Sequence, residues 1–163
     1  MTKIKNKIEL AKTTEKDLET LFIFQLDEDA NYLAAFTSKD PTDKSAYMKK
    51  WKKLINDKSL SVQTILLDGN IAGSLVRFEM EGKPEITYWI GKEFWGRGVA
   101  TSALKIFLKI ETVRPLYARA AFDNFGSQKV LEKCGFKKIG TDKGFANARK
   151  REINEIIFEL ANG

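Results

Sequence analysis

The pattern of apolar and polar positions changes its period near the middle of the chain. Glu85 and Thr87 alternate with Ile86 and Tyr88, which is the pattern of a β-strand with two different faces and predicts a strand over residues 85–90. From residue 100 onward the apolar positions fall on one face of a helix: Ala100, Ala103, Leu104, Phe107 and Leu108. We therefore predict a strand, a tight turn and a helix in succession.

The same periodicities predict the other elements. Strands are expected at residues 8–12, 62–67, 71–79, 116–122, 137–141 and 153–160. Helices are expected from Thr14 to Leu26, after an Asp43 cap, and from Asn124 to Gly135. Residues 27–36 are expected to form a short helix or an ordered loop, and residues 142–152 a linker. The order of elements predicts one α/β domain over residues 1–163, with helices on both faces of a mixed, mostly antiparallel sheet of about six to seven strands.

The turn between the central strand and helix has the sequence Trp95-Gly96-Arg97-Gly98. A helix that begins after a glycine turn directs unpaired N–H groups and positive potential to one spot, and glycines allow a ligand to approach the backbone. This arrangement suits a phosphate or pyrophosphate. The spacing is neither the dinucleotide pattern nor the Walker pattern, so a simple sharp connection is an equally good interpretation of the turn alone.

Two motifs in order resemble those of the GCN5-related N-acetyltransferase (GNAT) superfamily. The first is Trp-Gly-Arg-Gly-Val-Ala, in which Gly98 and Ala100 match the last two fixed positions of the loop Gln/Arg-x-x-Gly-x-Gly/Ala. Trp95 stands where Gln or Arg is usual, as in the branch that resembles ribosomal-protein alanine N-acetyltransferases. The second is Asn-Phe-Gly-Ser-Gln-Lys-Val-Leu-Glu-Lys-Cys-Gly-Phe, which is similar to a motif of that branch and begins at Asn124.

This resemblance implies a sheet splayed between its fourth and fifth strands, with acetyl-CoA bound in the splay. It implies backbone contacts to the pantetheine arm from Trp89, Ile90 and Gly91. The implied pyrophosphate loop comprises Trp95, Gly96, Arg97, Gly98, Val99, Ala100 and Thr101. Asn124 would be a helix cap, a pantetheine ligand, or both, and Arg97 would either add a charge or face solvent.

The two motifs specify the catalytic residues less well than they specify the cofactor loop. The resemblance implies that Ser127 protonates the departing thiolate, although a small residue there would also allow close cofactor approach. The tyrosine that commonly acts as general acid in the superfamily would stand seven residues after Asn124, where this chain has Leu131. Glu85 is the first candidate for a base that removes a proton from the amine, directly or through water, with a surface carboxylate as the alternative. Tyr88 is more typical of packing.

Acceptor recognition in the superfamily comes from the early helices and the late hairpin. In this chain the early helical segment carries Tyr32 and three carboxylates, Asp27, Glu28 and Asp29. The late hairpin carries a basic stretch around Arg149. Carboxylates would attract a cationic amine, whereas a basic stretch would attract an acidic neighbouring group. The sequence does not decide between them.

Composition limits the remaining possibilities. The chain has no histidine and one cysteine, Cys134, so a Ser-His or Cys-His dyad and an internal disulfide are excluded, and no transition-metal site is expected. No apolar run reaches membrane-spanning length, and no signal core follows the basic N-terminus, so a cytoplasmic protein is expected. The net charge of +6 favours capture of a phosphorylated cofactor, and nucleic-acid binding is not expected because aromatic and basic residues do not interleave on one predicted surface.

The sequence thus predicts an acetyl-CoA-dependent N-acetyltransferase that acts on a primary amine, either a protein N-terminus or a small molecule, by direct attack in a ternary complex. A non-catalytic acyl-CoA-binding module of the same fold is the alternative. The protein is expected to be a monomer or a homodimer.

Overall fold

The computed structural model describes residues 7–162. The strands in chain order are β1 (Ile8–Lys12), β2 (Ser61–Leu67), β3 (Asn70–Met80), β4 (Lys83–Ile90), β5 (Leu116–Ala121), β6 (Lys137–Ala146) and β7 (Arg151–Leu160). The helices are α1 (Leu18–Phe24), α2 (Glu28–Ala34), α3 (Lys44–Asn56), α4 (Val99–Ile110) and α5 (Phe125–Lys133). Short 3-10 helices precede α1 (Glu15–Asp17) and follow β4 (Lys92–Phe94).

All seven strands form one sheet in the order β1-β2-β3-β4-β5-β7-β6. Neighbouring strands are antiparallel except for β4 and β5, which run parallel because α4 connects them as a crossover. The predicted mixed, mostly antiparallel α/β fold is therefore confirmed.

The main core lies on the sheet face that α4 and α5 cover. Phe107 of α4 and Leu131 of α5 pack there with Phe158 of β7, and all three are at most 2% exposed. A smaller apolar cluster on the opposite face joins Ala35, just after α2, to the β5–β7–β6 half of the sheet. The sheet is consequently covered on both faces around the β4–β5 junction.

Capping residues define the ends of the helices as the sequence predicts. Asp43 accepts a hydrogen bond from the N–H of Ala46 at the start of α3, and Asn124 accepts one from the N–H of Ser127 at the start of α5. Gly135 has φ 94°, the left-handed conformation that favours glycine after a helix. Residues 27–36, left open between helix and loop, include α2, with Asp27 as its cap.

The linker predicted for residues 142–152 is wrong. β6 continues to Ala146 and β7 already begins at Arg151, so only residues 147–150 form the turn. β6 is an exposed edge strand, and its polar residues carry no apolar alternation that would reveal a strand. Backbone pairing with β7 stabilises it instead.

Two smaller differences concern burial and length. Helix α3 has no fully buried residue, and Trp51, expected in a buried stripe, is half-buried and stacks on Tyr47 with the ring centroids 5.6 Å apart. Helix α1 ends at Phe24, before Leu26. Among residues 7–162, no helix has the length and apolar character needed to cross a membrane.

Candidate active site

Strands β4 and β5 separate after two residue pairs. The parallel ladder joins Glu85 to Tyr117 and Ile86 to Ala118. Strand β4 nevertheless continues for four residues beyond Ile86, and β5 for three beyond Ala118. The two strands therefore leave a wedge-shaped gap in the sheet, which we call the splay, at the place that the family resemblance implies.

Pairing with β3 decides which backbone groups of β4 face the splay. The N–H of Gly91 donates to the carbonyl of Ala72, 2.8 Å away, and these residues lie directly opposite each other in the β3–β4 register. Hydrogen-bonded and non-hydrogen-bonded pairs alternate along an antiparallel ladder. Trp89 consequently directs its backbone groups toward β3, whereas Tyr88 and Ile90 direct theirs toward the splay.

This geometry corrects the prediction for two of the three β4 wall residues. Both backbone groups of Gly91 are occupied within the protein, since its carbonyl accepts a hydrogen bond from the N–H of Phe94 at 2.9 Å. The backbone of Trp89 faces β3, and its indole N–H lies 3.4 Å from the carbonyl of Phe24. Neither residue offers a free backbone group to the splay.

Ile90 and Tyr88 are the residues at this end of β4 whose backbone lies on the splay side. The carbonyl of Ile90 accepts the indole N–H of Trp95 at 2.9 Å, so this side chain folds back over the end of β4. The N–H of Ile90 and the backbone of Tyr88 remain on the splay side. The alternation of β4 was visible in the sequence, but its phase relative to β3 was not.

The loop after β4 leaves the start of α4 open. Gly96 and Gly98 have φ of 75° and 71°, and an added Cβ at either position would meet no atom within 4 Å. The first helical hydrogen bond joins the N–H of Ser102 to the carbonyl of Gly98, and no side chain caps the helix. The three preceding amides, of Val99, Ala100 and Thr101, therefore lack an intrahelical partner and form a positive site at the mouth of the splay.

Arg97 lies beside these amides on the surface. Its guanidinium is 6.0 Å from the ring centroid of Phe94, and it makes no ion pair within residues 7–162. A cavity of about 350 Å³ adjoins it, lined by Ile8, Leu67, Arg97 and Ser102. A cationic side chain in this position adds to the attraction of the helix end for an anion.

The opposite wall of the splay is built by the β5–α5 turn. Asn124 caps α5 through its side-chain oxygen, which leaves its amide N–H₂ without a partner in the described residues. Gln128 locks the turn, because its buried side chain donates to the carbonyls of Ala121 at 3.0 Å and Phe122 at 2.9 Å. No local pattern indicates this role for Gln128, because its partners are backbone atoms six and seven residues away.

A tyrosine hydroxyl bridges the two walls. The hydroxyl oxygen of Tyr88 lies 2.8 Å from Oγ of Ser127 and 3.3 Å from the Ser127 carbonyl. Burial raises the pKa of Tyr88 to about 12, so this hydroxyl is protonated at neutral pH. Leu131, by contrast, is 1% exposed within the main core and presents no hydrogen-bonding group.

Glu85 lies at the closed end of the splay and is buried, so the surface-carboxylate alternative is wrong. Its side chain is 6% exposed, and its nearest cation is Nε of Arg119 at 3.5 Å. Burial raises the pKa of Glu85, and the charge of Arg119 opposes that rise. Arg119 also pairs with Asp142 at 3.0 Å and with Glu155 at 2.9 Å, so three carboxylates surround one guanidinium.

The residues expected to recognise the acceptor are largely committed to structure. Asp27 caps α2, and Asp29 pairs with Lys92. Arg149 is buried, and its guanidinium makes two hydrogen bonds to the Asp123 carboxylate, at 2.8 and 2.9 Å.

Arg149 also contacts α2. Its Nε donates to the carbonyl of Tyr32 at 2.6 Å, and its guanidinium stacks 3.9 Å from the centroid of the Tyr32 ring. This residue therefore holds α2, the β6–β7 turn and the residue before Asn124 together, and it is not available to an acceptor. Residues 7–162 also bring together no group of three or more His, Cys, Asp or Glu side chains that would hold a metal ion.

A family model described as an acetyltransferase (GNAT) domain matches residues 7–137. Because the match covers most of the sequence, the chain belongs to this family. A protein of Bacillus subtilis (strain 168), named "Putative ribosomal N-acetyltransferase YdaF", is 29% identical over 117 residues, which are 64% of this chain and 63% of that protein. The chain thus spans less than two thirds of the length of this curated relative.

Solved structures with the same fold include acetyltransferases in complex with coenzyme A. Spermidine N-acetyltransferase from Vibrio cholerae, in complex with CoA and spermine, has a TM-score of 0.82 at 16% identity, with 95% of each chain covered. RimL, a ribosomal L7/L12 alpha-N-protein acetyltransferase in complex with coenzyme A, has a TM-score of 0.78 at 18% identity, covering 95% of this chain and 94% of its own. These likenesses confirm the predicted fold.

Proposed function

We propose that this chain is an N-acetyltransferase that transfers an acetyl group from acetyl-CoA to a primary amine in a ternary complex. The observation that carries the proposal is the splay. Free backbone groups of β4 line it, and the free amides at the start of α4 lie at its mouth. A long, anionic thioester suits both features, since strand backbone pairs with an amide-containing arm and a helix N-terminus attracts phosphate. Membership of the family supports the reaction class.

The proposed cofactor site keeps most of the residues predicted from the sequence. The α4 loop, residues 95–101, would hold the pyrophosphate through its amides, with Arg97 adding charge. Tyr88 and Ile90 would pair with the pantetheine arm from one wall, and the free side-chain amide of Asn124 would contact it from the other. A β4 N–H that faces the splay would stabilise negative charge on the thioester oxygen during attack.

Glu85 would act as the base. A protein α-amino group titrates at about 8 and an alkylamine at about 10, so either is mostly protonated at neutral pH. A buried carboxylate with a raised pKa is a better proton acceptor than an exposed one, and Glu85 combines burial with a position at the closed end of the splay. Ser127 would supply the proton for the departing sulfur.

The acceptor is proposed to carry positive charge. Arg149 is internally paired, which removes the main basic residue of the hairpin from recognition. Three carboxylates share Arg119, so their cluster has an excess of negative charge on the sheet face that α2 partly covers. The α-amino group of a ribosomal protein, as the names of YdaF and RimL suggest, and a polyamine, as the spermine complex suggests, both meet this condition.

The test is release of free thiol from acetyl-CoA, measured with a chromogenic thiol reagent across a panel of amines. The panel contains peptides with free and blocked N-termini, polyamines and neutral amines. We expect release above background with at least one free amine and none with its blocked counterpart. Absence of release with every amine would contradict the proposal.

The alternative function is a non-catalytic acyl-CoA-binding module. It is favoured by Leu131, which fills the position of the usual tyrosine acid with a core side chain. This alternative predicts that calorimetry detects acetyl-CoA binding while mass spectrometry detects no acetylated product. Binding together with product formation would exclude it.

A further inference from the structure

Tyr88 makes the contact that spans the splay. Its side chain extends from β4 toward the first turn of α5, where its hydroxyl meets both oxygens of Ser127, at 2.8 Å from Oγ and 3.3 Å from the carbonyl. These residues are 39 positions apart in the chain. The contact is the one hydrogen-bonded connection described between the side chains of β4 and α5.

The chemistry of the longer contact assigns its donor. A carbonyl oxygen only accepts, so the Tyr88 O–H is the donor in the longer contact. In the 2.8 Å contact with Oγ either hydroxyl could be the donor. The arrangement relevant to catalysis is the one in which the Tyr88 O–H is shared between the carbonyl and Oγ, so that one proton satisfies both contacts. The Ser127 hydroxyl then keeps its own proton free to be donated elsewhere, and its oxygen is fixed in position.

We propose that Tyr88 is a positioning residue that holds the Ser127 hydroxyl ready to pass a proton to the departing sulfur. This inference rests on the proposed acetyl transfer. The Tyr88–Ser127 hydroxyl pair would take the role of general acid that a tyrosine at position 131 would otherwise have. A tyrosine reaches α5 in this chain too, but it comes from β4 and acts through the serine.

The step balances without another reactant. The amine nitrogen forms a bond to the acetyl carbon, and the carbon–sulfur bond breaks with its electron pair going to sulfur. Glu85 takes one proton from the ammonium group before attack. Ser127 donates its O–H proton to the departing sulfur and accepts, at Oγ, the second proton, which the acylated nitrogen loses. Tyr88 keeps its own proton throughout, which agrees with a pKa raised to about 12 by burial.

The test compares Tyr88→Phe, Ser127→Ala and the double variant with the wild-type protein in the thiol-release assay. Tyr47→Phe is the matched control, because Tyr47 is also a partly buried tyrosine but lies in α3, packed on Trp51. Circular dichroism of each variant shows that it is folded. We expect Tyr88→Phe to lower kcat about tenfold, the net worth of one strong hydrogen bond, with the KM for acetyl-CoA within about twofold of wild type.

The double variant separates positioning from a general structural effect. If Tyr88 acts through Ser127, the double variant loses no more kcat than Ser127→Ala alone. Losses that multiply, or a Tyr88→Phe kcat within twofold of wild type, would overturn the inference while leaving acetyl transfer in place. A wild-type protein that binds acetyl-CoA but transfers nothing would instead contradict the proposed function itself, and this inference with it.

Discussion

Replacing Asp123 with alanine should destabilise the protein strongly, although Asp123 lies on a turn and is partly exposed. The change removes both carboxylate oxygens that accept hydrogen bonds, at 2.8 and 2.9 Å, from the two terminal nitrogens of the Arg149 guanidinium. The Arg149 side chain is only 1% exposed, so water does not replace the lost partner without structural change. A charge left buried and unpaired in this way costs about 3–5 kcal/mol in the free energy of unfolding.

Partner variants show whether the cost comes from the unpaired charge. Arg149→Met keeps an apolar stem on Tyr32 and leaves Asp123, which is 29% exposed, able to hydrate. We expect this change to cost about 1–3 kcal/mol, chiefly from the unpaired carbonyl of Tyr32. The double variant should cost little more than Arg149→Met alone, because no buried guanidinium remains.

Urea unfolding followed by tryptophan fluorescence measures these differences as shifts in the midpoint at constant slope. Asp142→Ala is the control, because Asp142 is 58% exposed and Arg119 retains Glu155, so its effect on the midpoint should be small. If Asp123→Ala costs no more than this control, the guanidinium is able to find another partner and the reasoning is refuted.

The pH dependence of the same pair has a definite sign. The Arg149 guanidinium holds the pKa of Asp123 below its ordinary value. Its contribution to stability is therefore complete above the unfolded pKa of about 4 and disappears as the pH falls through the lower folded pKa. The stability difference between wild type and Asp123→Ala should shrink in that acidic window.

Three further changes test the site itself. Gly73→Ala should lower the stability of the protein and weaken acetyl-CoA binding in calorimetry, because an ideal Cβ at this position lies 2.1 Å from a carbonyl oxygen of β4. Gly140→Ala is the control and should have neither effect, because a Cβ there has no atom within 4 Å. Gly98→Ala and Gly69→Ala should each lose about 1 kcal/mol because both glycines have φ above 70°, but only Gly98→Ala should weaken acetyl-CoA binding. Glu85→Gln should lower kcat by about 10²–10⁴ and abolish the rise in rate with pH that titration of the base produces, while acetyl-CoA affinity stays unchanged; an unaltered pH–rate profile would exclude Glu85 as the base.

Local patterns in the sequence predicted the elements around the proposed cofactor site. The change of period between β4 and α4 and the glycines between them identified the loop, and Asn124 and Gly135 marked both ends of α5. Each of these signals depends on residues within a few positions of one another, which is why they were readable without the fold.

Long-range contacts could not be predicted in the same way. Tyr88 and Ser127 are 39 residues apart, and Arg149 and Asp123 are 26 apart, so nothing in the local sequence distinguishes a bridging tyrosine from a packing one, or a buried arginine from a solvated one. The phase of β4 hydrogen bonding likewise depends on its register with β3, which moved the free backbone groups from Trp89 and Gly91 to Tyr88.

The narrow junction between β4 and β5 has a thermodynamic consequence. Within the sheet, four strands on one side and three on the other are tied by only two residue pairs. A ligand bound between the two strands contacts both halves of the sheet. It therefore stabilises the native state by an amount that grows with the logarithm of its concentration. The melting temperature of this protein should therefore rise with the fraction of molecules that have bound acetyl-CoA, and this can be measured before any acceptor is identified.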